Sequence, residues 1–213
     1  MKDKKEDSGG RLYWGKLADR IEDPVEAKNK RPDTTDVEIE FLKDYCSKEK
    51  SLLDLGAGSG LITNRLLPLV DRITAVEKFE GFTKFILDDP NMRVINADLR
   101  GFKIRDKFDI ILCTGVGQCF PQEEMVEIYS NISDMIDDGV FISRMHCGTE
   151  ETITFDSFSE ELQTDYYAQF RFVELEVEMI KEAGFSSVEV LDFLPDSINV
   201  WPNSRHFYFV CKK

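Results

Sequence analysis

The chain has 213 residues, 42% hydrophobic, 11% aromatic and 32% charged, a balance that suits one globular α/β domain and excludes disordered and fibrous classes. A formal charge of −14 argues against a nucleic-acid groove, because binding phosphates needs clustered Lys and Arg. The longest stretch without Asp, Glu, Lys or Arg runs from Ile110 to Gln122, too short and too polar to cross a bilayer.

The first ten residues, MKDKKEDSGG, lack the apolar segment of a secretory signal, so a cytoplasmic location without membrane association is expected. Five cysteines, at 46, 113, 119, 147 and 211, form no Cys-x-x-Cys pair and suit a reducing compartment. Two histidines, His146 and His206, give no zinc-ligand spacing, and no metal is expected.

In chain order, helical patches at Leu12–Ile21 and Val37–Tyr45 precede the first strand, Ser51–Leu55, an apolar run ending in glycines. The spacing then predicts a helix over Gly60–Leu67, a strand over Arg72–Val76, a helix over Gly81–Leu87, and strands at Met92–Ile95 and Phe108–Cys113. Gln122–Met135 follows as a helix, with Met125, Ile128, Ile132 and Met135 on one face. Val140–Met145 is a fifth strand. Gly148–Arg171 is too long for a plain connection and reads as an inserted cap. Phe172–Ala183 is a helix closed by Gly184, and the strands Val188–Phe193 and His206–Cys211 end the chain.

Alternating strands and helices call for a doubly wound sheet with right-handed crossovers. The loop joining the last two strands has no room for a crossover helix, so that pair is antiparallel. The expected fold is α/β: a seven-stranded, mostly parallel sheet with one antiparallel strand and helices on both faces. It is expected to be a single domain of residues 1–213. Within it lie N-terminal lid helices (1–50), a cofactor-binding half (51–147), the cap (148–171), and a C-terminal helix and strand pair (172–213).

The informative stretch is Asp54-Leu55-Gly56-Ala57-Gly58-Ser59-Gly60, where a strand runs through three alternating glycines into a helix. Glycines there let a ligand lie against bare backbone. Glu77 ends the second strand, where a carboxylate accepts both hydroxyls of a ribose, with Lys78 beside it. Asp98, just past the third strand, adds an acid at the same sheet edge. The dinucleotide fingerprint Gly-x-Gly-x-x-Gly differs, because here the third glycine comes one residue early.

This Asp-x-Gly-x-Gly-x-Gly loop, with Glu77, Asp98 and the strand Phe-Asp-Ile-Ile-Leu, resembles the class I S-adenosylmethionine-dependent methyltransferases over residues 51–146 and about 185–213. The resemblance implies S-adenosylmethionine as cofactor. Asp54 and the backbone of Gly56, Ala57, Gly58 and Gly60 would hold its methionyl part, and Glu77 its ribose. Asp98 and the Leu99 N–H would meet the adenine edge, with Thr114 and Gly115 bordering the sulfonium. A cationic sulfonium without phosphate also suits an acid-rimmed pocket. In the small-molecule group of that family, N-terminal helices and an insertion after the fifth strand close the pocket. By that likeness Tyr13 would bond the cofactor carboxylate or Trp14 cover the ring.

The expected activity is methyl transfer to an oxygen or nitrogen of a small molecule, with a sugar or surface-glycan precursor suggested by similar size and plan. The alternatives are an NAD-dependent oxidoreductase and a non-catalytic methyltransferase-like binding protein. His146, next after the fifth strand, is the candidate general base, set against a purely structural role. Cys147 would be a nucleophile only with a depressed pKa. Lys28, Lys30 and Arg31 are a basic cluster suited to an anion or to solvent. The aromatics and acids of 148–171 suit either a cage for a cationic amine or a buried cap. A small-molecule acceptor is the expected partner, without nucleic acid or membrane, and a homodimer is allowed.

Overall fold

In the computed structural model, residues 10–28, 31–161 and 163–213 are described. Helices α1 (Gly10–Arg20) and α2 (Thr35–Leu42) come first, followed by β1 (Ser51–Leu55), α3 (Thr63–Leu66), β2 (Arg72–Glu77), α4 (Glu80–Thr83), β3 (Met92–Asn96) and β4 (Ile110–Thr114). Then come α5 (Gln122–Asp134), β5 (Val140–Gly148), β6 (Ile153–Ser159), β7 (Thr164–Phe170), α6 (Val173–Glu182), β8 (Ser187–Leu191) and β9 (Ser204–Lys212).

Seven strands form one sheet in the order β3-β2-β1-β4-β5-β9-β8. The strands from β3 to β5 pair in parallel, and β9 is antiparallel to both its neighbours. This is the expected sheet, including its single antiparallel strand. Every residue of β1 is buried, as a central strand covered on both faces must be. Alternate side chains feed two cores. Leu53, Leu55, Ile111, Phe141 and Phe209 pack against α5 and α6. Leu52, Ile110, Leu112, Ile142 and Tyr208 pack against α2 and α3. The chain runs outward through β2 and β3, then returns to place β4 on the other side of β1. That reversal opens a crevice at the carboxyl ends of β1 and β4.

Three elements differ from expectation. Gly60 sits at φ +74°, outside the helical region, so α3 starts only at Thr63 and passes at Leu67 into a tight 3₁₀ turn. Beyond Glu80–Thr83 the predicted second helix continues only as i→i−3 bonds, such as Ile86 N–H to Thr83 C=O at 3.0 Å. The inserted segment is a hairpin, β6 paired antiparallel with β7. Its inward face is Thr164, Tyr166, Ala168 and Phe170, while Asp165 faces out. The hairpin leaves and rejoins the frame at one point, where the Gly148 N–H donates to the Arg171 carbonyl at 3.0 Å.

Candidate cofactor and acceptor site

After β1 the chain must turn sharply to reach α3. Gly56 and Ala57 donate to the Val76 carbonyl at 2.8 and 3.0 Å, which folds the loop over the end of β2. Gly56 adopts φ +75°, and a β-carbon there would strike Val116 at 2.9 Å, so only glycine fits. At Gly58, φ is +55° and a β-carbon would meet nothing within 4 Å. The backbone there faces open space, a cradle for a ligand.

That space is a cleft of about 1100 Å³, counting solvent at its mouth. Of the sequence-derived residues, Trp14, Asp54, Gly56, Ala57, Gly58, Glu77, Lys78, Asp98, Leu99, Thr114 and Gly115 line it. Gly60 lies behind the loop, packed against Ile86 and Asn64. Tyr13 lies off the cleft, buried, its ring edge-on to Trp14 at 5.4 Å and to Tyr166 at 5.0 Å. Sequence reasoning passes over Phe79, Phe82, Val116 and Phe120 in the lining, and also Arg144.

The acids differ in their partners. Asp54 is fully enclosed and accepts from the Thr63 hydroxyl at 2.5 Å. Burial pushes its carboxyl up to about 6, opposed by the Thr63 bond and reinforced by Glu77. Glu77 accepts the Gly58 N–H and the Phe79 N–H, each at 2.9 Å, so it clasps the glycine loop to the start of α4. Burial raises its pKa, and those N–H donors work against the rise. Asp98 is paired with Arg100 at 2.6 Å and Lys78 at 3.1 Å. Desolvation opposes the shift, but these cations win and hold its carboxyl well below the usual range.

His146 does not line the cleft. It is buried, with its ring stacked on Phe170 at 3.7 Å and on His206 at 3.9 Å. The Ser204 hydroxyl donates to the Trp201 carbonyl at 3.1 Å, so it accepts the proton of His146 Nε2 at 2.8 Å. Burial, with Arg31 and Arg144 nearby, lowers His146 to about 3. The structure therefore gives it a packing position instead of the expected role as base. The reason is that β5 does not end at Met145. Pairing with β9 carries it to Gly148 and puts His146 inside the ladder, opposite His206. Burial likewise raises the Cys147 thiol, which leaves it inert.

The cap aromatics do not converge on a cage. Phe155 packs on Phe170 and Trp201, Tyr166 on Tyr13, and Phe158 is exposed. Lys28 lines the cleft, delivered by a 3₁₀ turn that the Ser59 hydroxyl anchors through the Pro24 carbonyl at 2.7 Å. Lys30 lies outside the described residues.

Residues 53–142 match the family model described as a methyltransferase domain. A probable ribosomal RNA small subunit methyltransferase A of Halobacterium salinarum is 45% identical over 48 residues, 22% of this chain and 17% of that protein. The chain thus spans about a sixth of the length of this curated relative. Among solved structures, the DhpI complex with SAM and HEP superposes with a TM-score of 0.71 at 15% identity, covering 94% of each chain. The glycopeptide N-methyltransferase MtfA bound to S-adenosylmethionine superposes at 0.65 with 14% identity, over 84% of this chain and 94% of its own. Segment 53–142 thus resembles a methyltransferase domain, and the sheet has the fold of the class I S-adenosylmethionine-dependent methyltransferases.

Proposed function

We propose that the chain is an S-adenosylmethionine-dependent methyltransferase acting on an oxygen or nitrogen of a small molecule, with a sugar or surface-glycan precursor as the class its size and plan favour. One observation carries this reading. A strand-end carboxylate, Glu77, and an enclosed one, Asp54, flank an open cradle at Gly58 with no phosphate-binding cation in the loop itself.

The residues present fit the cofactor. Asp54 has a single hydroxyl partner and room to accept an ammonium. Each Glu77 oxygen takes one N–H and keeps a lone pair for a ribose hydroxyl. Asp98 and Leu99 border the adenine end, and Thr114 and Gly115 the reacting end. When bound, the cofactor supplies an electrophilic methyl group. The chain's part is to align the acceptor with it behind Trp14, Phe79 and Phe120, which exclude water, and alignment supplies much of the rate in such transfers. A proton leaving the acceptor goes to solvent, because His146 is walled off by Phe170 and His206.

A dinucleotide is a poorer fit. Its pyrophosphate needs helix N–H groups at the loop, yet α3 begins beyond it at Thr63, and Asp54 and Glu77 repel phosphate. The net charge of −14 disfavours nucleic acid as acceptor. Equilibrium dialysis with labelled S-adenosylmethionine and NAD tests the reading: the first is expected to bind at about micromolar levels and the second not. NAD binding alone would overturn it.

A further inference from the structure

Lys28 and Arg144 line the cleft and share one buried carboxylate, Glu38, and Arg31 is a neighbour of Arg144. Glu38 accepts from Arg144 at 2.8 Å, Lys28 at 3.3 Å, the Thr34 hydroxyl at 2.6 Å and the Tyr208 hydroxyl at 2.6 Å, so its capacity is used. Asp33, the other acid here, accepts from the Thr35 N–H and hydroxyl, and the cation it reaches is Lys28, at 3.7 Å. Arg31 has no carboxylate partner among the described residues. Its hydrogen-bond partner is His206 Nε2 at 3.1 Å. That nitrogen must accept, because His206 Nδ1 points at the Asn199 amide oxygen, which also takes the His206 backbone N–H. His206 is therefore neutral and compensates nothing.

The groups that face Arg31 are Tyr166 of the hairpin, Tyr13 of α1, Cys119 of the loop after β4, and Arg144 of β5. Burial raises Tyr166 to about 12 and Cys119 to about 11, so neither is an anion. The cation among these neighbours is a second guanidinium, Arg144. Arg144 Nε is buried without a partner among the described residues, and its Nη2 lies 2.5 Å from where a β-carbon of Gly115 would stand. Arg144 has Glu38 as its anion, but burying Arg31 without one is costly. Desolvation accordingly depresses the Arg31 pKa.

We propose that Arg31 and Arg144 form a subsite for an oxyanion, carboxylate or phosphate-type, carried by the acceptor substrate. Its position separates it from the nucleoside end. Arg144 borders Thr114 and Gly115, and Arg31 lies farther toward β9 and the hairpin, whereas Glu77 and Asp98 stand across β1. The same cations exclude a cationic amine as acceptor. The word acceptor rests on the methyltransferase reading, but the anion site does not.

The test uses inorganic phosphate, methylphosphonate and acetate, against chloride at equal ionic strength, with and without S-adenosylhomocysteine. Thermal melting and calorimetry of the whole chain are the readouts. An oxyanion is expected to raise Tm in the wild type, with the tighter of the two kinds naming the group. Arg31→Gln is expected to weaken oxyanion binding about tenfold or more while its own Tm without anion holds or rises, because an uncompensated charge is gone. Arg144→Gln takes one of the two cations from buried Glu38, so Arg31→Gln carries the decision. No binding beyond the chloride control, or equal binding by the variant, overturns the subsite. S-adenosylhomocysteine and 5′-methylthioadenosine separate the remaining source. If Arg31→Gln weakens only the former, the anion is the cofactor's own carboxylate and the proposal fails. Oxyanion binding by a protein that ignores S-adenosylhomocysteine would sink the methyltransferase reading alone.

Discussion

Asp54 is ionised above pH ~4 in an unfolded chain but only above about 6 when folded. The folded state therefore holds an extra proton between those values, and stability falls as pH rises through that window. The charged form costs about 3 kcal/mol at neutral pH, two pKa units of differential interaction. Asp54→Asn is expected to raise Tm at pH 7.5 by several degrees while weakening S-adenosylhomocysteine by about 1.5–3 kcal/mol, the worth of a hydrogen bond to a charged group. A variant that keeps full affinity would remove Asp54 from the methionyl site. Glu77→Ala is expected to cost about 1–3 kcal/mol of cofactor affinity, and calorimetry showing no change would take away its ribose role. His146→Gln is expected to leave kcat and its pH profile between 5 and 8 close to wild type, since the imidazole is already neutral there. A loss of turnover of about a hundredfold would restore it as a base. The strand-end acids were legible in sequence because a glycine loop and two strand ends fix their place in three dimensions. His146 and Tyr13 were not, because adjacency along the chain does not say how far a neighbouring strand prolongs the ladder or which ring lies beneath another.

Among the elements, the hairpin and α6 meet at Arg171, which is buried. It donates to Glu176 at 2.5 Å, to the Phe120 carbonyl at 2.8 Å and to the Gly117 carbonyl at 3.1 Å, and Tyr129 of α5 bonds the same glutamate. The loop that follows β4 and lines the cleft is thus hung from one guanidinium. Arg171→Met leaves Glu176 buried without its cation, with only the Tyr129 hydroxyl as partner among the described residues, and about 3–5 kcal/mol of stability is expected to go. Adding Glu176→Leu is expected to recover part of that, while cofactor affinity stays low because the two carbonyls are no longer held. Denaturant melts and calorimetry on the pair would show it, and full recovery of both properties would refute the positioning role. The central strands were readable from continuous apolar runs. The hairpin strands were not recognised although Thr164, Tyr166, Ala168 and Phe170 alternate inward. The outward acids and second tyrosine made the segment look like an irregular cap. The short α3 was overestimated because apolar spacing alone does not register a glycine at positive φ, and α4 because that spacing does not tell i→i−3 from i→i−4 bonding.

At the scale of the whole molecule, the acidic surplus is concentrated in residues 150–200, while Lys28, Lys78 and Arg144 line the cleft. Among the described residues no helix is long and apolar enough to cross a membrane. With a formal charge of −14 the folded state repels itself. Raising sodium chloride from low salt to about 0.3 M, where the Debye length is roughly 6 Å and longer-range repulsion is largely screened, is expected to lift Tm by about 2–4 °C, equivalent to about 1 kcal/mol for a chain of this size. A flat or falling Tm would mean that the surface pairs, such as Arg20–Glu161 and Arg205–Asp192, already balance the field.

Because the excursion between Gly148 and Arg171 starts and finishes at a single pair of bonded residues, its length is nearly decoupled from the sheet beneath. Lengthening a detour whose ends already touch adds little closure entropy. New contacts for a different methyl acceptor can therefore arise there by insertion or replacement, while the nucleoside grip at Glu77 stays as it was.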